Sequence, residues 1–91
     1  MIPKSFMCMG FKIVVSVEEV RDEASDGEFH GRKQKISIDK SSSRQTQDQT
    51  FWHEFMHCAL GTLGYKKLDN DEKFVDRMAS LLYQLEKTRK D

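Results

Sequence analysis

The chain has 91 residues, 37% hydrophobic and 33% charged, and its fifteen acidic and fifteen basic side chains leave no formal net charge. That mixture excludes a disordered tail or an integral membrane protein and fits one small domain over residues 1–91, while neutrality without a basic block excludes an electrostatic footprint for nucleic acid. A domain of this length buries only about 60% of its unfolded-chain surface, so a bound metal would add materially to its stability.

The opening residues are partly apolar, but Lys4 and Lys12 interrupt them. No signal peptide or membrane span is expected, and the chain is assigned to the cytoplasm. Phe11, Ile13, Val15 and Val17 alternate with Lys12, Val14, Ser16 and Glu18, the period of a half-buried strand, and the sheet is expected over residues 11–39. Residues 20–27 are mostly charged and end in the turn dipeptide Asp26-Gly27; 28–33 and 34–39 then each have strand length, with Ile36 and Ile38 facing the core. Gly31 is either the bend between those two strands or a bulge.

Lys40-Ser41-Ser42-Ser43 supplies an N-cap, and a helix is predicted over about 43–63 with Trp52, Phe55, Met56, Ala59, Leu60 and Leu63 as its apolar stripe and Gly64 as its stop. The segment from Asp69 to Asp71 opens a second helix, over about 70–88, whose stripe is Phe74, Val75, Met78, Leu81, Leu82 and Leu85. Cys8 and Cys58 are too few for a disulfide framework, and both are expected as free thiols.

His53-Glu54-Phe55-Met56-His57 is an H-E-x-x-H sequence on the first of these helices. Positions i and i+4 put both imidazoles on one side of a helix, one turn apart, where they can share a Zn²⁺ at about 2.0–2.1 Å. Glu54, turned about 100° from His53, reaches a water on the metal rather than the metal and can take its proton. A third ligand is required, and Glu72 is the choice. Asp76, four residues on, would accept the remaining N–H of a histidine and fix its ring. Asp69, Asp71 and Asp76 are the other possible ligands, and Asp69-x-x-Glu72 also reads as a capping box that would occupy Glu72 otherwise. His30, Tyr65 and Tyr83 are candidate hydrogen-bond donors to a transition state, and His30 is also a candidate ligand.

H-E-x-x-H followed on a later helix by Glu72-Lys73-Phe74-Val75-Asp76 resembles the gluzincin pattern. With Lys35-Ile36-Ser37-Ile38-Asp39 and Gln49-Thr50-Phe51-Trp52 ahead of it, the chain looks like the minigluzincins and the related ImmA/IrrE-type peptidases of phages and mobile elements, over most of residues 11–86. The resemblance implies an α+β fold: a small two-to-three-stranded sheet over the H-E-x-x-H helix, an upper edge strand able to pair with an extended peptide, and the glutamate helix packed beneath. It implies one Zn²⁺ per chain on His53, His57 and Glu72, Glu54 as general base, Asp76 behind a ligand, and a polypeptide substrate such as a regulatory protein. Metzincins fit worse, because Leu60 and Leu63 stand where their glycine and third histidine belong. No residue matches the family's transition-state donor. The expected function is zinc-dependent peptide hydrolysis; the alternative is a zinc-stabilised module that docks onto a regulatory partner without catalysis.

Overall fold

The period-2 pattern at Phe11–Glu18 does form a strand, with Ile13 and Val15 buried and Val14 exposed. Phe11 and Val17, read as inward, are exposed because they lie at the strand's ends, outside the core cluster it helps to build. The computed structural model describes residues 2–20 and 25–90, so part of the charged stretch expected over 20–27 lies outside the described residues. Its elements are β1 (Ser5–Cys8), β2 (Phe11–Glu18), β3 (Gly27–His30), β4 (Lys35–Asp39), α1 (Arg44–Leu63), α2 (Lys66–Asp69) and α3 (Glu72–Thr88).

The fold is α+β, with a four-stranded mixed sheet in the order β1-β2-β4-β3. Parallel β2 and β4 form its centre, and antiparallel β1 and β3 its edges. The expected two or three strands become four because β1 lies ahead of residue 11. Its alternation is hidden: Phe6 and Cys8 pack inward, but only two residues face outward, and one of them, Met7, is itself apolar. The turn to β2 hides equally well, because Met9 (φ 50°) and Gly10 (φ 86°) adopt the two left-handed conformations of a tight hairpin without the usual Asn or Asp in first place. Asp26-Gly27 is not the turn itself, since Gly27 already pairs with Ile38. Gly31 opens the turn between β3 and β4, which its carbonyl closes by accepting from the Gln34 N–H.

Helix α1 starts at the expected cap, Ser43 accepting from the Thr46 N–H, and ends at Gly64 in a left-handed conformation. It is the middle layer of three. Phe51 and Cys58 pack on the sheet with Ile13, Val15, Ile36 and Ile38; Met56 and Leu60 pack on α3 with Val75 and Ala79; Trp52 and Phe55 touch both clusters. A helix buried on two sides has no single stripe, which is why the predicted one missed Phe51 and Cys58 and wrongly included Leu63, 52% exposed. On α3 the seam is narrower than predicted, and Leu81 and Leu85 face outward. The second predicted helix is α3, which begins two residues later than expected, capped by Asp71, whose side chain accepts from the Phe74 N–H; α2, a single unpredicted turn ahead of it, reverses the chain. No helix among the described residues is long and apolar enough to cross a membrane.

Candidate metal centre

Helix α1 presents His53 and His57 one turn apart, ring centroids separated by 5.0 Å, and α3 opens with Glu72 directly opposite. Glu72 Oε2 lies 3.2 Å from His53 Nε2, and Glu72 Oε1 lies 3.1 Å from His57 Nε2. Behind the rings, Asp76 Oδ1 is 2.7 Å from His53 Nδ1, and Asp69 Oδ1 is 2.6 Å from His57 Nδ1. The capping box that would have engaged Glu72 does not form, because Asp71 takes the cap and Asp69 turns to His57.

Both nitrogens of each ring therefore face carboxylate oxygen. A neutral imidazole has one N–H and satisfies one such contact; its other lone pair is repelled by the second carboxylate. A second proton on each ring would remove the conflict, and so would a cation held by the two Nε2 atoms and Glu72 with each Nδ1–H donating to its aspartate. The spacing suits a cation. Tetrahedral ligands at about 2.0–2.1 Å from a metal stand about 3.3 Å from one another, close to the contacts observed, and one ligand atom from each of His53, His57 and Glu72 falls within a 4.8 Å limit. These three residues can hold a metal ion. Glu72 is 63% exposed, so the centre opens to solvent on the α3 side.

No protein-family model, curated protein or solved structure matches the chain.

Glu54 is buried at 8% exposure, next in sequence to a ligand but not among the converging ligand atoms. It is buried because β3 crosses α1 closely at Gly27, where a Cβ would come within 2.6 Å of Thr50 Cγ2 and 2.8 Å of the Ser37 carbonyl oxygen. Burial holds the Glu54 carboxyl above its ordinary pKa, and the neighbouring His53 and His57 offset part of that rise. Burial acts against a charged His57, but the Asp69 hydrogen bond and the charges of Glu54, Glu72 and Asp69 leave its pKa raised. Beside His53 and Glu54 lies a cavity of about 310 Å³, walled by the start of β3, the first half of α1 and the middle of α3.

Asp76 lies behind His53, one of the two histidines that the sequence left open for it. Asp69, considered as a substitute ligand and as the start of a capping box, instead supports His57; its position depends on the short α2, for which the sequence carries no periodic signal. His30 pairs with Glu28 at 3.1 Å on β3, Tyr83 lines a separate small cavity with Ile2 and Trp52, and Tyr65 is exposed after α1. None of the three lines the cavity at Glu54. Cys8 and Cys58 are free thiols, and burial pushes the Cys58 pKa up to about 12, making it an inert core group.

Proposed function

We propose that the chain is a zinc-dependent peptidase of the minigluzincin kind, with zinc on His53, His57 and Glu72 and with Glu54 as general base. The observation that carries this reading is the pair of imidazoles whose Nε2 atoms face Glu72 while carboxylates hold both Nδ1 atoms, with a buried, unligated glutamate alongside. Two nitrogens and one oxygen from three protein residues are the donor set of a catalytic rather than a structural zinc. Bound there, zinc supplies Lewis acidity, acidifying water towards a pKa of about 7 and polarising a carbonyl oxygen.

The chain's own groups do the rest. Glu54 takes a proton from the attacking water, whose oxygen bonds to the peptide carbonyl carbon; as the C–N bond breaks, Glu54 returns the proton to the leaving amine. A carboxyl whose pKa burial has raised suits both halves of that exchange. Asp76 and Asp69 keep Nδ1 protonated on each ring and so keep Nε2 available as a lone pair. The outer edge of β3, which among the described residues pairs only with β4, is available to an extended polypeptide substrate.

The test compares zinc-loaded wild type with Glu54→Gln on a broad peptide library, with and without chelator. Wild type should cleave, chelator should stop it, and Glu54→Gln should lose at least about 10²-fold in rate while keeping its zinc. Equal rates in the two proteins would remove the general-base role. One observation favours a second reading, a zinc-stabilised module that binds a regulatory partner: none of His30, Tyr65 and Tyr83 lines the cavity where a transition state would need a donor. That reading takes over if the zinc-loaded wild type cleaves nothing.

A further inference from the structure

The cavity beside Glu54 has an unusual lining for a place meant to receive part of a peptide. Its walls carry Ser25, Thr46, Gln49 and Ser80, and its carboxylates, Asp26, Glu54 and Asp76, come from three different segments of the chain. No large apolar side chain and, among the described residues, no lysine or arginine lines it. Glu54, nine-tenths buried, borders this space, and among the described residues no lysine, arginine or hydroxyl is paired with its carboxylate. A buried carboxylate with two exposed ones, Asp26 and Asp76, beside it favours a ligand that brings positive charge and N–H groups, and hydroxyl and amide oxygens around them can accept the remaining donors. An apolar side chain would strip water from these groups without replacing it, and an acidic one would be repelled. Ala79 and Gly27 keep the walls thin, and about 310 Å³ is ample for one long side chain.

We propose that this cavity receives a lysine or arginine side chain of the polypeptide, next to the bond cleaved, and that Asp26 is the residue that sets the preference. The proposal rests on the peptidase reading for its substrate, but its recognition chemistry is independent of turnover. Asp26 is the wall carboxylate with no part in the centre: its Oδ1 accepts from Ser42 Oγ at 3.0 Å, and its backbone carbonyl accepts from the Asp39 N–H. Asparagine at this position retains an oxygen for Ser42 and loses the charge.

The experiment uses blocked heptapeptides identical except for a central Lys, Arg, Leu or Glu, with the zinc-loaded full chain, measuring Kd by fluorescence anisotropy and cleavage in parallel. The Lys and Arg peptides should bind about tenfold more tightly than the Glu peptide, with a gap that narrows as salt is raised. Asp26→Asn should cut that advantage by about threefold or more while leaving the melting temperature unchanged. Equal binding of all four peptides, no measurable binding, tighter binding of the Leu or Glu peptide, or an undiminished advantage in Asp26→Asn overturns the proposal. Preferential binding of the basic peptides without cleavage supports the cavity assignment and removes the peptidase; cleavage that favours Leu or Glu does the reverse.

Discussion

Asp69 Oδ1 lies 2.6 Å from His57 Nδ1, and the consequence of that contact falls on the ring's other nitrogen. With the N–H fixed at Nδ1, Nε2 is left as a lone pair directed towards Glu72, 3.1 Å away. Asp69→Asn keeps the shape but can present its amide N–H₂ to Nδ1, which favours the opposite tautomer and places a proton where the metal binds. The expected result is a loss of about 10–100-fold in zinc affinity with the ligands untouched, measured by competition with a chromogenic chelator. Unchanged affinity would make Asp69 a bystander. At this scale the sequence was legible where spacing alone determines geometry: His53, Glu54 and His57 follow from a helix of 3.6 residues per turn, and Glu72 and Asp76 from the next helix face. Asp69 was not legible in this role, because the chain reverses between Leu63 and Glu72 and only the actual path of α2 decides which aspartate arrives at His57.

Strand β3 is a short edge element, yet it sets the depth of Glu54 and forms a wall of the cavity, and Gly27 is what allows it so close to α1. A methyl group there would meet the Ser37 backbone oxygen at 2.8 Å, and a carbonyl in a sheet cannot give way as a side-chain tip can. Gly27→Ala should therefore destabilise by about 1–3 kcal/mol, read as a lowered midpoint in denaturant unfolding; an unchanged midpoint would mean that the strand moves freely. The sequence located this strand approximately but took Gly27 for a turn, since a dipeptide signal carries no information about what lies across from it. Helix α1 was placed by its caps to within a residue, whereas its two-sided burial was beyond a single-stripe reading, because Phe51 and Cys58 acquire their meaning only from the sheet above them.

Across the whole molecule, a sheet bearing one face of α1 and a helix bearing the other hold the candidate metal ligands on two elements joined through the core, so a metal bound there would be linked to folding. The outer face of the sheet carries a separate polar network, in which Glu18 accepts from Ser16 and Ser37 hydroxyls at 2.9 and 3.0 Å and from Lys35 Nζ at 3.2 Å. Those hydrogen bonds, the Ser16 one foremost, lower the Glu18 pKa from 4.5 to about 2. A carboxylate with a depressed folded-state pKa contributes stability that is present above its unfolded value and lost as the pH falls through the folded value. Glu18→Gln should accordingly remove part of the acid-side decline between about pH 4.5 and 2 in thermal unfolding, with the exposed setting keeping the effect small; an identical pH profile would assign the network no role. The two main helices were legible from periodicity and caps and the α+β class from the resemblance, but the first strand was not, because it is four residues long and Met7 on its outer side removes half of its polar alternation. Calorimetric titration of the metal-stripped chain with zinc at neutral pH tests the proposed centre most directly. Uptake of one zinc per chain is expected with a Kd at or below about 1 μM, weakened by at least about 10-fold in Glu72→Ala; no uptake, or equal affinity in Glu72→Ala, would contradict a centre on His53, His57 and Glu72.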